Sequence, residues 1–305
     1  MITNLNPSAA IFLANVNRVE ESLSQATNEL SSGYRVNVAS DDPDQIQTLL
    51  QLRTDEQQNT QIQSNLNTAT ADADSADTSL SAAIQLMDTA VSLATQGASE
   101  TTTAQGRQSL AQQVAAIQQQ MVSYSATQVD GSYIFSGDQD GSPTYQLDLT
   151  ATTGSAATNG VDLLQNDTAT RQVQDPGGGE FTASETAQQI FDTPGASVFA
   201  ALNSLRLNLL ANNQTGVQNS IPLLQAASAQ LNTSEAFYGN VEDQINNANT
   251  FASQYSTQLQ TEIGNIQDAD VAQAATQLTQ ENTALQAAFQ AEGKMPTTSL
   301  FNYLG

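Results

Sequence analysis

The sequence predicts a mainly α protein: a long antiparallel helical bundle or coiled coil formed by the N- and C-terminal regions, with a small β-rich domain inserted in the middle. Three observations predict it. Apolar positions step alternately by four and three through most of the chain, which is the seam of a coiled coil or long bundle. Between Asp130 and about Pro194 that stepping gives way to Gly-rich turns and short alternating runs. The order of elements is also palindromic, with a short terminal helix and long helices on each side of the β-rich middle, so the two ends of the chain should pair.

The first seam is Phe12, Val16, Val19, Leu23, Ala26 and Leu30, and Gly33 stops it. Ser40, Asp41, Asp42 and Pro43 follow. An acidic cap with proline at the first helical position suits a helix start, so a second helix begins near Asp44. Its seam is Ile62, Leu66, Ala69, Ala73, Ala76, Leu80, Ala83, Met87, Ala90 and Ala94. That is about four heptads, ending near Gly97, in a helix roughly 80 Å long. Alanine at so many seam positions lets partner helices approach closely. A third helix with Leu110, Val114, Ile117, Met121 and Tyr124 follows a short connection and folds back antiparallel.

Gly131 to Gly137, Pro143, Tyr145, the alternating Gln146-Leu147-Asp148-Leu149 and the loop Asp175-Pro176-Gly177-Gly178-Gly179 read as short strands and turns. This insert is expected to be peripheral, with few contacts to the helices. Helix resumes with Val198, Leu202, Leu205 and Leu209 and turns at Gly216. The longest seam follows: Ala227, Leu231, Ser234, Tyr238, Val241, Ile245, Ala248, Ala252, Tyr255, Leu259, Glu262 and Ile266, weakened near its end by Gly264. A last helix carries Val271, Ala275, Leu278, Leu285 and Phe289, is interrupted by Asn282, and is closed by Gly293 and Pro296. Thr297 to Gly305 form an apolar and aromatic tail. The expected divisions are a terminal helix at 1–40, half of the bundle at 41–130, the insert at 131–195, the other half at 196–264, and a terminal helix with its tail at 265–305. Short amphipathic helices are marginal in water, so both terminal segments should be disordered in the monomer.

Of the 305 residues only 39% are hydrophobic and 5% aromatic, which suits thin helical packing better than one large core. Seven Lys plus Arg stand against 31 Asp plus Glu, a net charge of -24. Phosphate backbones and anionic headgroups would repel such a chain, so no nucleic-acid partner is expected. Without Cys there is no thiolate nucleophile or thiolate metal site, and without His the usual general base and transition-metal ligand are missing. The reading is a protein that is not an enzyme, with no catalytic, cofactor or metal site. No stretch approaches the ~20 apolar residues of a membrane-spanning helix, so no membrane insertion is expected. The first residues lack a basic region, and the run Ala9 to Ala14 is shorter than a secretory core, which predicts no conventional signal peptide.

Four features resemble chemical sites and read more plainly. Asp72, Asp74 and Asp77 fall off the seam and read as a solvated helix face. Asp138-Gln139-Asp140-Gly141 begins like a calcium loop, but its twelfth position is Leu149 where a bidentate Glu is needed, so it reads as a turn, with incidental weak calcium binding left open. Gly177 to Gly179 have no following Lys and no evident preceding strand, and read as a flexible turn. The Asn-x-Ser/Thr triplets at Asn166, Asn213 and Asn232 are expected by chance in so Asn-, Ser- and Thr-rich a chain.

Leu30-Ser31-Ser32-Gly33-Tyr34-Arg35-Val36-Asn37-Val38-Ala39-Ser40-Asp41-Asp42 resembles the N-terminal signature of the flagellin superfamily, and Ile266-Gln267-Asp268-Ala269-Asp270-Val271-Ala272 resembles its C-terminal one. Within the superfamily, the segment Gly131 to Gly137 with Tyr133, Ile134 and Phe135, the run Ser40 to Pro43, and the closing Ser299-Leu300-Phe301-Asn302-Tyr303 are similar to the hook-associated branch at the hook–filament junction. Ile84-Gln85-Leu86-Met87-Asp88-Thr89-Ala90 lacks the arginines that flagellins carry in the comparable stretch. The resemblance implies a structural component of the bacterial flagellum, extracellular after export through the flagellar type III system, that connects the hook to the flagellin filament by polymerising. It implies as partners further copies of the chain in a ring-like axial assembly, hook-associated protein 1, flagellin and an export chaperone. Its terminal helices would line the axial tube, which makes Phe12, Val16, Val19, Leu23, Leu30, Val271, Leu278, Leu285 and Phe289 the expected assembly interface. The signature positions are Leu30, Ser31, Ser32, Gly33, Arg35, Asn37, Asp41, Asp42, Pro43, Tyr133, Ile134, Phe135, Gly137, Asp268, Asp270, Leu300 and Phe301. Two other readings stay open: a minor or divergent flagellin, separable by copy number, and a secreted acidic coiled-coil adhesin.

Overall fold

The computed structural model describes residues 7–150, 154–166 and 168–294. Pro296 and the tail from Thr297 to Gly305, with the signature positions Leu300 and Phe301, lie outside the described residues. The chain forms two compact units, one of residues 59–254 and one made by the two ends, up to residue 58 and from residue 255. Both long helices, α2 (Ile46–Ala98) and α7 (Gln214–Gln267), contribute to each unit.

In the unit of residues 59–254, the expected seam of α2 is buried at every position from Ile62 to Ala94, and that of α7 from Ala227 to Ala252. α3 (Ala104–Ser125) starts on Thr103, whose side chain accepts from the Gly106 amide, and α6 (Val198–Leu210) starts on Ser197 in the same way. α3 runs back along α2: Arg107 at its start donates to the Gly97 and Ser99 carbonyls, and Thr127 just past its end meets the Ser79 hydroxyl. α7 is antiparallel to α2, since a Cβ on Gly97 would sit 3.4 Å from Val217 while Asn59 donates to the Ala252 carbonyl at 2.9 Å. The turn between α6 and α7 is not at Gly216, which lies inside α7. It is made by Asn212 at φ 52, a left-handed position that Asn tolerates through local hydrogen bonding. Gly216 is small for a different reason, because a Cβ there would fall 1.9 Å from Asn208 Oδ1.

Among the described residues the middle segment contains antiparallel strand pairs, as expected, but as three separate two-stranded pairs. They are β1 (Gln128–Val129) with β2 (Ser132–Tyr133), β3 (Tyr145–Leu147) with β4 (Val161–Leu163), and β5 (Gln172–Gln174) with β6 (Glu180–Thr182). Two short helices, α4 (Gly154–Asn159) and α5 (Ala187–Phe191), complete it. The Asp175 to Gly179 loop is the hairpin turn from β5 to β6, with Gly178 at φ 90, so a strand does precede the three glycines.

The expectation of few contacts to the helices is overturned. Ile134, Phe135, Tyr145, Val161, Ile190 and Phe191 belong to the same buried cluster as Met87, Val114, Leu202 and Tyr238 of the helices. The rings of Phe135 and Tyr238 meet edge-on at 6.2 Å, and Tyr145 lies over Phe199 at 4.8 Å. Polar contacts repeat the attachment. Gln118 of α3 and Asn203 of α6 donate to the last carbonyls of α4, at Asn159 and at Ala157 and Thr158, while Gly160 leaves that helix at φ 71. Asp72 is not on a solvated face either. Arg171 pairs with it and, at 3.3 Å, with Asp140 of the Ser136 to Ser142 turns. Burial pushes the Asp72 carboxyl up despite the opposing pull of Arg171. The physical reason the segment is not peripheral is its aromatic content, which has no core of its own in three two-stranded pairs and must be buried on the helices.

Candidate functional site

In the unit formed by the chain ends, α1 (Pro7–Ser32) packs along α8 (Val271–Glu292). The two run antiparallel, with Phe12 edge-on to Phe289 at 6.4 Å and the Ala269 amide donating to the Gly33 carbonyl at 2.9 Å. Of the expected interface residues, Val16 is buried, and Phe12, Val19, Leu23, Leu278 and Leu285 are partly buried. Leu30, Val271 and Phe289 are exposed, by 38%, 53% and 55%, as are Ile11 and Leu13 beside them. On α8 the fully buried position is Ala274 and not Ala275, so the face turned inward is 274, 278, 281, 285 and 288. The apolar surface of the pair is therefore only partly covered.

At the base of this pair the two signatures meet in a polar clasp. Gly33 ends α1 at φ 76, its amide still bonded to the Glu29 carbonyl, and Ser32 Oγ accepts from the Tyr34 amide. The chain then runs antiparallel to the segment leaving α7: Tyr34 pairs with Asp268, and the Arg35 amide donates to the Gln267 carbonyl at 2.7 Å. The Arg35 guanidinium joins three pieces of chain, donating to Asp42 Oδ2 at 3.0 Å and to the Ile266 carbonyl at 2.7 Å. Planar and forked, it can serve two acceptors at once where a lysine would serve them as a point charge.

The loop from Asn37 to Asp42 is held by its two aspartates. Asp41 Oδ2 accepts from the Asn37 and Val38 amides at 2.8 and 2.9 Å. These bonds, Val38's first, hold the Asp41 carboxyl below its ordinary value. Their contribution is complete above the ordinary Asp pKa and fades as pH falls through the lower folded value. α2 begins at Ile46, two residues after the expected start near Asp44, and Asp42 holds the turn that leads into it, its carbonyl accepting from the Ile46 amide and its Oδ1 from the Gln45 amide, with Pro43 in that turn. On the opposite strand Asp270 caps α8, accepting from the Ala272 and Gln273 amides.

Two clasp residues had no role in the sequence reading. Gln267, 8% exposed, receives Arg53 Nη2 on its Oε1 at 2.7 Å. Its position inside the C-terminal signature was a usable signal, whereas Arg53, in the first turns of α2, had none. The remaining signature residues Tyr133, Ile134, Phe135 and Gly137 lie in the other unit, where Ile134 and Phe135 are core and Gly137 turns the chain at φ 61.

The clasp can hold the chain ends in register. Among the described residues no group of three Asp or Glu is placed to hold a metal ion, and no helix is long and apolar enough to cross a membrane. Arg35→Lys keeps the charge and loses the fork. We expect the Ala269 and Val36 amides to exchange with solvent about tenfold faster in that variant, equivalent to about 1.4 kcal/mol of local stability. Unchanged exchange would show that the backbone pairing holds the clasp without the side chain.

The family model for the bacterial flagellin N-terminal helical region matches residues 3–140, and that for the C-terminal helical region matches residues 221–304. Among curated proteins none matches the sequence. Among solved structures, a Vibrio parahaemolyticus protein provisionally named a flagellar hook-associated protein is 19% identical, with a TM-score of 0.64 over 75% of this chain and 100% of that one. Flagellar hook-associated protein 3 of Legionella pneumophila is 13% identical, with a TM-score of 0.60 over 73% of this chain and 99% of that one. FlgL of Bacillus cereus is 15% identical, with a TM-score of 0.55 over 70% and 99%. At such identities the likeness is one of fold.

Proposed function

Because the chain belongs to the flagellin family, matched at both its ends, we propose that it is the junction subunit that connects the hook to the flagellin filament. In this reading it is exported through the flagellar type III channel with the help of a chaperone and polymerises as a thin ring between hook-associated protein 1 and the first flagellin subunits. It acts by assembly and not by catalysis, in keeping with a sequence that has neither His nor Cys.

The observation that carries the reading is the clasp with its half-covered helices. Two signatures from opposite ends of the chain are bonded together, and the α1–α8 pair that leaves them keeps Ile11, Leu13, Val271 and Phe289 exposed. A pair with so few buried positions has little stability of its own, so α1 and α8 fold firmly only when neighbouring subunits cover them. Phe12, Val19, Leu23, Leu30, Val271, Leu278, Leu285 and Phe289 then become the interface between subunits. The shared fold with hook-associated proteins favours a junction over bulk filament, as does the arginine-free stretch from Ile84 to Ala90.

Deleting the gene tests this. We expect hooks without filaments and flagellin lost to the medium, both reversed by supplying the gene again. Normal filaments in the deletion strain would refute the reading, and filaments built mainly of this chain would make it a divergent flagellin.

A further inference from the structure

A groove of about 470 Å³ opens between the β5–β6 hairpin and α2. Its helical wall is Asn65, Thr68, Ala69 and Asp72, one face of α2 over about 10 Å. The facing wall is every residue from Thr170 to Gln174. Neighbouring side chains of a strand point to opposite faces, so a groove bordered by five consecutive residues runs along the edge of β5. Ile134, Ala183 and Tyr238, all buried, line it from within.

That edge is open. β5 bonds to β6 on its other side: the Arg171 carbonyl accepts from the Ala183 amide and the Asp175 amide donates to the Gly179 carbonyl, both at 2.8 Å, with Val173 opposite Phe181 between them. Bonded residues alternate along an antiparallel ladder, so Gln172 and Gln174 turn their amides and carbonyls away from β6. The sheet has only these two strands, and no turn or loop among the described residues takes up those groups. Such an edge is a template for another strand. The groove also carries an excess of one charge. Asp72, Asp138 and Glu180 line it against Arg171 alone, and Arg171 already serves Asp72 and Asp140. A segment bearing lysine or arginine would be drawn in, and an acidic one kept out. A second copy of this chain, with seven Lys and Arg to 31 Asp and Glu, matches that demand poorly.

We propose that this groove binds an extended, lysine- or arginine-bearing segment of another protein, which adds to β5 as a third strand. Backbone bonds to Gln172 and Gln174 give affinity whatever the sequence of the segment, and the acids of the groove select its basic side chain. Three or so residues of a strand cover about 10 Å, the length of the α2 wall. Every residue used lies in the unit of residues 59–254, so the inference does not depend on the junction reading.

The test uses purified full-length chain and a fluorescein-labelled peptide, Thr-Val-Thr-Lys-Thr-Val-Thr, whose alternate residues put Val, Lys and Val on one side. Fluorescence anisotropy should show saturable binding that weakens about tenfold when glutamate replaces the lysine. Methylating the backbone nitrogen of the lysine, or instead that of the residue after it, distinguishes the two edges of the peptide. One change should weaken binding about tenfold and the other less than about twofold, because only alternate amides can face β5. On the protein, Thr68→Trp fills the groove from an exposed position of α2 and should abolish binding while the thermal transition stays in place. Glu180→Gln should weaken binding about threefold. Absence of saturable binding up to about 1 mM peptide would overturn the inference. Undiminished binding to Thr68→Trp, or equal effects of the two methylations, would overturn it as well. A peptide copied from residues 294–305 of this chain that binds more tightly than the lysine peptide would overturn it in favour of a second copy.

Discussion

Cells whose only copy of this chain carries Leu285→Asp should export the protein and yet shed flagellin into the medium instead of building filaments. Leu285 lies on the inward face of α8 with Ala274 and Leu278, and is already partly buried by pairing with α1. Covering a leucine completely is worth about 1.5–3 kcal/mol, and a carboxylate in its place would have to be desolvated without a partner at a larger cost. In the proposed ring both penalties would repeat in every copy, so the loss is expected to be complete. The substitution should leave the main thermal unfolding transition of the monomer where it was, because the seams of α2 and α7 do not include this residue. Normal filaments in that strain would refute the assignment of the partly covered α1–α8 pair to subunit contact, and a large fall in the monomer transition would place Leu285 in the folding core.

Phe135→Ala should act in the opposite way, lowering the stability of the monomer itself. Phe135 is fully buried, with edge-on contacts to Phe191 at 6.0 Å and to Tyr238 at 6.2 Å, and its carbonyl accepts from the Ala187 amide. Removing a buried phenylalanine costs about 3–5 kcal/mol, a large share of the 5–15 kcal/mol or so that holds a typical domain. The midpoint of chemical denaturation should fall accordingly, with the slope unchanged. A variant with unaltered midpoint would show that the middle segment is not part of the core it packs on.

The two residues also mark what the sequence could and could not reveal. In α2 and α7 one period runs through several heptads, so Leu66, Met87, Leu231 and Ile245 could be assigned to the interior from spacing alone. α8 is short and rich in alanine. Such a face has an ambiguous phase, and the reading took Ala275 for the buried position that is in fact Ala274. The attachment of the middle segment rests on pairs distant in sequence, such as Phe135 with Tyr238 and Arg171 with Asp72, which no local pattern announces. The turn was misplaced at Gly216 because glycine is the more familiar turn former, although the Asn212-Asn213 doublet was the better signal. At the clasp the two signatures could be quoted residue by residue. That Arg35 reaches Ile266 could not be read from either one.

That last contact joins positions 231 residues apart. Closing so long a loop in an unfolded chain carries a large entropy penalty, but the penalty grows with the length of chain still free and not with the distance along the sequence. Once α2 and α7 have zipped together, only the few residues from Arg35 to Ile46 and the last turn of α7 remain to be ordered. The clasp is therefore expected to close late and at little entropic cost, after the rest of the molecule is in place. On the junction reading, a chain delivered from its N-terminus would hold half of the motif and could not close it, so α1 would have no α8 to pair with, and no partly delivered copy would present the completed end.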